Sequence, residues 1–343
     1  MTQPEATPAR FARTRALLFL VASLVIGAAL IVAMTWFVVG SAPRAQAVAV
    51  ASGIAVSEYV ALPDDDAYPS ALAISADGTL YTGSYQSGAL WAISRDGVLS
   101  EVPGSRDRIG SVTGLDAGPD AALYILDRIT PLDAKGAVVW RYADGALDAV
   151  MDIPNDETTG LVLPEDIAVD SAGEIYISDR KTGRVWRYTT AGQAPGLFWQ
   201  LPCGETCAAT GLAYDHGNDA VLITDSETDT IYRVLVSDAG ENEGRAERIF
   251  VDGVESGYGM DGIAVSPAGE IYIALLAWNR VAKLQDGQLI MLARGFRGSS
   301  DVAFDAGSDR LFVSNWNQFS LGFGTRPQLP FALDVIDLSP ESY

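Results

Sequence analysis

The sequence predicts an all-β fold, a six-bladed β-propeller, preceded by one N-terminal transmembrane helix. Three observations carry this expectation. A unit of three short strands separated by tight turns, LPEDIAVDSAGEIYISDRKTGRVWRY at residues 163–188, has copies along the chain. Equivalent apolar anchors, Leu72, Leu115, Ile167, Leu212, Ile263 and Val302, recur at intervals of 39 to 52 residues, close to the roughly 40–50 residues that a four-stranded blade requires. Finally, helical patterning is nearly absent after residue 50, whereas residues 16–39 contain no charge.

The elements follow in order. Residues 1–15 are polar and carry Arg10, Arg13 and Arg15, so they read as a cytoplasmic segment. Residues 16–39 form the predicted span, since 24 helical residues exceed the roughly 20 needed to cross a bilayer core. The arginines before it and the single Arg44 close behind it place the N-terminus in the cytoplasm and the rest outside, periplasmic or extracellular. The sequence Ala45-Gln46-Ala47 also resembles a small-residue cleavage site, so a removed signal peptide stands as the alternative to an uncleaved signal-anchor. Residues 40–53 read as a linker and residues 54–343 as the propeller.

Within each unit, β-branched and aromatic runs between Gly, Asp and Ser turns read as antiparallel hairpins. One small sheet cannot bury both faces, so the copies must pack on one another. Residues 54–62 precede the first unit and residues 331–338 follow the last; paired as outer strands of the final blade, they close the ring and remove an open edge.

Composition excludes some partners. With 44 acidic and 23 basic residues and a net charge of −21, the chain is a poor match for nucleic acid or an anionic membrane surface, leaving the N-terminal helix as its membrane contact. The two cysteines, Cys203 and Cys207, can close a small loop, and outside the cytoplasm a disulfide is the expected state. The single histidine, His216, lies in the turn YDHGND, which argues against a Ser-His-Asp triad.

Propeller geometry brings the residue before each inner strand to the rim of the central channel. Through the six units that position reads Ser70, Thr113, Glu165, Thr210, Asp261 and Ser300. Every one carries a side-chain oxygen. A ring of hard oxygens suits Ca²⁺; equally, hydroxyls and carboxylates cap strand ends. Entering segments on this face are acidic, with Asp64, Asp65, Asp66, Asp156, Glu157, Glu205, Asp252 and Glu255. Asp127, Asp179 and Asp225 recur at second-strand ends and read as turn caps. Trp278, Asn279, Trp316 and Asn317 fall near the same face and offer a substrate-binding wall with amide handles, or packing between blades.

The segment MDGIAVSPAGEIYIA, from Met260, resembles the Asp-Gly segment of the senescence marker protein/gluconolactonase/luciferin-regenerating enzyme family. The likeness extends over the six repeats and is close to NHL-type repeats; strictosidine synthase and paraoxonase share the architecture. The resemblance implies one divalent metal in the channel, often calcium, held by a Glu of the first blade, Asn residues of the third and fourth, and an Asp of the fifth. It further implies hydrolysis of small lactones or esters, the metal polarising the carbonyl and the Asp assisting proton transfer. Asp261 matches that Asp and is the implied catalytic residue. Ser70 stands at the Glu position, and Glu165 and Thr210 stand at the two Asn positions, so the implied metal shell is Glu165, Asp261, Thr210 and Ser70. Two functions remain open: a calcium-dependent lactonase or esterase, and a non-catalytic NHL-like propeller that binds a protein, peptide or glycan.

Overall fold

A computed structural model describes residues 8–41, 44–131, 136–156, 161–189, 196–203, 206–238, 246–253, 256–323 and 325–339. The described chain divides into two units. One comprises residues up to 44 together with 319–327; the other comprises residues 45–318 and 328 onward. In the first unit, a helix over Pro8–Ser41 contains the stretch Arg15–Met34, which is long and apolar enough to cross a membrane.

The second unit is a six-bladed propeller of antiparallel sheets. The inner strands are Pro69–Ile74, Val112–Ala117, Pro164–Val169, Ala209–Asp215, Met260–Val265 and Val302–Asp305, and they neighbour one another around the ring, the sixth returning to the first. The third blade shows why the sequence folds this way. Ile167, Ala168 and Val169 pair with Ile177, Tyr176 and Ile175. The intervening turn is held by Asp170, whose Oδ1 accepts the N–H groups of Ala172 and Glu174 at 2.9 Å while Oδ2 accepts the Tyr176 hydroxyl at 2.9 Å. Side chains then pack between blades. Tyr124, Leu126 and Val139 of blade two, for example, meet Ile167, Ile175 and Trp186 of blade three in one buried cluster. Each fully buried aliphatic or aromatic residue there is worth about 1.5–3 kcal/mol.

The ring closes as the two orphan strands require. Ala55–Ala61 pairs with Ala332–Asp337, so the first part of the propeller supplies the outer strand of blade six. One element differs from expectation. Within residues 40–53, Val48 and Ala49 pair with Arg294 and Ala293 as a fifth strand on blade five. The physical reason is the exposed edge of that blade's outer strand, which an adjacent extended chain can satisfy with backbone hydrogen bonds.

Five inner strands carry a register irregularity near their starts, at 69/71, 112/114, 164/167, 209/212 and 260/263. Such bulges turn a strand locally and redirect its side chains. They fall on the residues that surround the channel mouth.

Candidate active site

The mouth is a pocket lined by Ser70, Tyr85, Thr113, Glu165, Asp261 and Trp316, with Asp166 and Asp301 at its floor. Three of the ring hydroxyls are committed to stitching blades together. Ser70 Oγ donates to Val112 O at 2.7 Å, Thr210 Oγ1 to Met260 O at 2.9 Å, and Ser300 Oγ to Ser70 O at 2.9 Å. Each bond joins one inner strand to the next blade. Thr113 Oγ1 is different: it is buried and has no hydrogen-bond partner among the described residues.

The two ring carboxylates have unlike surroundings. Glu165 is 11% exposed and forms an ion pair with Arg128, itself 6% exposed. Arg128 also donates through Nε to Pro164 O at 2.9 Å and through Nη1 to the Tyr85 hydroxyl at 3.0 Å, with its guanidinium over the Tyr85 ring. Arg180 Nη1 lies 3.8 Å from the other Glu165 oxygen. By contrast, the Asp261 carboxylate accepts no hydrogen bond among the described residues. Burial pushes its pKa well above the ordinary carboxylate range, and the Glu165 charge pushes the same way; Arg180 opposes both.

Beneath the mouth, Asp166 and Asp301 belong to blades three and six, opposite each other in a ring of six. Each clips its own strand to the next blade. Asp166 accepts Ile167 N and Leu212 N at 2.8 Å, and Asp301 accepts Val302 N at 2.8 Å and Leu72 N at 2.7 Å. Glycines make room for them: a Cβ on Gly114 would lie 2.6 Å from Asp166 Oδ1, and one on Gly262 would lie 2.0 Å from Asp301 Oδ1. Burial lifts Asp301 to about 7, and lifts Asp166 well above its usual value with help from the facing Asp301. Both also line a cavity of about 280 Å³ opening on the other side. Its rim includes His216, whose Nδ1 is 3.4 Å from Ser171 Oγ, away from the mouth.

The remaining expected residues are dispersed. Trp316 lines the mouth, its ring packed edge-on against Tyr85 at 4.8 Å, with Nε1 buried and unpartnered among the described residues. Trp278 is 39% exposed and lies under the Arg280 guanidinium. Asn279 Oδ1 accepts Gly298 N at 2.8 Å, and Asn317 Oδ1 accepts Gln328 N at 3.4 Å; both serve turns. A disulfide joins Cys203 and Cys207, with Cα atoms 5.5 Å apart. Asp127, Asp179 and Asp225 each accept backbone N–H groups. Of the acidic entering residues, Asp64 and Asp66 pair with Arg106, while Glu157, Glu205 and Glu255 lie outside the described residues.

Sequence reasoning missed Tyr85, Arg128 and Arg180. All three directly follow a second strand, after Ser84, Asp127 and Asp179. That shared offset was the available signal.

The family model described as SMP-30/Gluconolactonase/LRE-like region matches residues 127–316, more than half of the chain. The chain belongs to this family. No curated protein sequence matches it. Among solved structures, the SMP-30/gluconolactonase-like propeller is similar to a gluconolactonase from Xanthomonas campestris, at 14% identity and TM-score 0.60, covering 87% of this chain and 96% of that one. It is similar to virginiamycin B lyase from Staphylococcus aureus with quinupristin, at 12% identity and TM-score 0.55, covering 87% and 97%. It is also similar to a PQQ-bound aldose sugar dehydrogenase from Streptomyces coelicolor, at 18% identity and TM-score 0.55, covering 86% and 99%. At these identities the likeness is one of fold.

The donor set at this family member's mouth does not fit a divalent cation. Ser70 and Thr210 donate their hydroxyl protons to neighbouring backbone carbonyls, Glu165 is neutralised by Arg128, and Arg180 stands beside it. Among the described ring residues, the anionic oxygens that accept no hydrogen bond are Glu165 Oε1, 3.8 Å from Arg180, and those of Asp261, whereas Ca²⁺ takes six to eight oxygen ligands.

Proposed function

We propose that the protein hydrolyses small lactones or esters at the channel mouth, with Asp261 as the proton-transfer group. The observation that carries this reading is the state of Asp261. Its carboxylate lines the pocket, accepts no hydrogen bond among the described residues, and is lifted out of the ordinary pKa range by burial. A carboxyl lifted in this way is a stronger base once ionised. Asp261 takes a proton from a water that attacks the carbonyl carbon, and the carbonyl electron pair moves onto its oxygen. The unpartnered Trp316 Nε1–H and Thr113 hydroxyl supply donors for that oxyanion. As the carbonyl re-forms, the ring C–O bond breaks and the leaving oxygen takes the proton back from Asp261. The net change is lactone plus water to hydroxy acid.

We also infer that the N-terminal helix anchors the propeller on the outer side of the membrane, a reading supported by the apolar stretch Arg15–Met34 and the preceding arginines. Protease access to the propeller in intact cells tests it. The activity test is turnover of γ-butyrolactone and aryl esters by the full chain in detergent, with excess EDTA and with added Ca²⁺, beside Asp261→Asn. Turnover in EDTA that is lost in Asp261→Asn supports the reading. Turnover that appears only with Ca²⁺ returns a cation to the site. Ligand binding without any turnover would select the non-catalytic alternative.

A further inference from the structure

Beyond Asp166 and Asp301, the channel opens into a chamber unlike the mouth. Its volume of about 280 Å³ is just under the roughly 300–1,000 Å³ of small-molecule sites. The six repeat anchors, Leu72 through Val302, line it as one apolar ring. The residues two further along each inner strand, Ile74 through Phe304, line it as a second ring nearer the opening, as the two-residue period of a strand requires. Between the rings the repeats place Ala73, Ala168, Ala213, Ala264 and Ala303, and in blade two alone an acid, Asp116. Asp116 Oδ1 accepts Ala117 N at 2.8 Å and Oδ2 accepts Val169 N at 2.7 Å. Each oxygen of Asp116, Asp166 and Asp301 thus takes one backbone N–H, about half of what a carboxylate can accept. Among the described residues, no lysine or arginine lines the chamber. Hydrocarbon walls that end in carboxyls, with no cation of their own, are complementary to an amphiphilic cation.

We propose that this chamber is a second ligand site, which takes a small primary ammonium ion with a cyclic or branched apolar body. The body packs against the two apolar rings and the ammonium meets Asp116, Asp166 and Asp301. The proposal does not depend on the hydrolase reading. A primary ammonium brings three donors to carboxyl oxygens that have acceptor capacity left. Its charge also offsets the repulsion that Asp301 exerts on Asp166 and Asp116 exerts on Asp301. The walls reward an apolar body, which a bare metal ion lacks. Burial lifts Asp116 and Asp301 to about 7, so near neutral pH the ammonium displaces protons when it binds. The other titratable groups facing the chamber are Tyr214 and His216, whose rings pack edge-on at 4.6 Å; Asp261 lies on the mouth side.

The test is isothermal titration calorimetry of the full chain in non-ionic detergent with excess EDTA, using cyclohexylmethylamine as probe and cyclohexylmethanol as its uncharged counterpart. At pH 8 the amine should bind, and the alcohol should bind about tenfold more weakly or less, the scale of one charge-assisted hydrogen bond. At pH 5.5 the amine should lose roughly thirtyfold in affinity, as expected when a carboxyl titrating at about 7 must be ionised. His216→Gln should keep that loss, which assigns it to the carboxyls and not to a histidine that also gains charge on acidification. Asp301→Asn should weaken the amine about tenfold. Because Asp301 also clips two blades, a second variant leaves every carboxyl in place: Ala213→Phe fills the chamber and should abolish binding while the protein still melts in one cooperative transition. The proposal is overturned if the amine does not bind at pH 8, if the alcohol binds as well, or if affinity is the same at both pH values. It is equally overturned if the loss on acidification disappears in His216→Gln, or if folded Ala213→Phe binds the amine as wild type does.

Discussion

Replacing Arg128 by methionine tests whether Glu165 is one half of a buried ion pair. The substitution removes the charge facing a carboxylate that is 11% exposed, together with the bonds to Pro164 O and the Tyr85 hydroxyl. Leaving a buried charge without its partner costs about 3–5 kcal/mol, an upper bound here because Arg180 stays 3.8 Å from Glu165. In a domain of this size, at about 2 °C per kcal/mol, Tm should fall by at most roughly 6–10 °C. The double variant Arg128→Met with Glu165→Met should recover most of that loss, since a hydrophobic pair of similar volume is often neutral or stabilising relative to a buried ion pair. Differential scanning calorimetry of the full chain in detergent, without and with Ca²⁺, provides the readings. A single variant that melts within a degree of wild type would refute the reasoning. So would a double variant no more stable than the single one, or a loss fully restored by Ca²⁺, which would mark Glu165 as a cation ligand.

Two further predictions concern the waist of the channel. Gly262→Ala would place a methyl 2.0 Å from Asp301 Oδ1 and 2.6 Å from Asp301 Cα; overpacking of this kind costs about 1–3 kcal/mol or more, and an unchanged urea midpoint would contradict it. Asp301, held near 7 by burial, binds its proton more tightly folded than unfolded, so its contribution to stability is fully present below the unfolded carboxylate range and is lost as pH rises through about 7. The stability difference between wild type and Asp301→Asn should therefore shrink from pH 5 to pH 8, and a difference that stays constant or grows would exclude this linkage.

The repeat and its closure were legible because they depend on period and burial. Leu72, Leu115, Ile167, Leu212, Ile263 and Val302 all lie in the paired core of an inner strand, and the orphan strands at 54–62 and 331–338 pair with each other. The ring two residues before those anchors was legible as positions but not as directions. Ser70 and Thr210 turn toward the next blade where bulges redirect the strand starts, and Ser300 bonds across to Ser70 O just before its strand begins; no single repeat encodes its neighbour's carbonyl. One residue closer to the anchors, the pattern Ala71, Gly114, Asp166, Gly211, Gly262 and Asp301 carried the Gly–Asp accommodation at the waist in plain view; its meaning depends on which blades are adjacent. Arg128 and Arg180 were hidden for a similar reason. Each follows an Asp that caps a turn, and only closure of the ring brings both guanidinium groups to the same Glu165.

The most direct measurement is the pH dependence of kcat/KM for γ-butyrolactone hydrolysis by the full chain in excess EDTA, for wild type and Asp261→Asn. Because Asp261 acts ionised and its pKa is raised, wild-type activity should climb with pH through a midpoint well above that of an ordinary aspartate. Asp261→Asn should be slower by roughly 10²- to 10⁴-fold and lose that rise. Turnover by Asp261→Asn at the wild-type rate, or a wild-type profile rising with the pKa of an ordinary exposed aspartate, would contradict hydrolysis driven by Asp261 at the mouth.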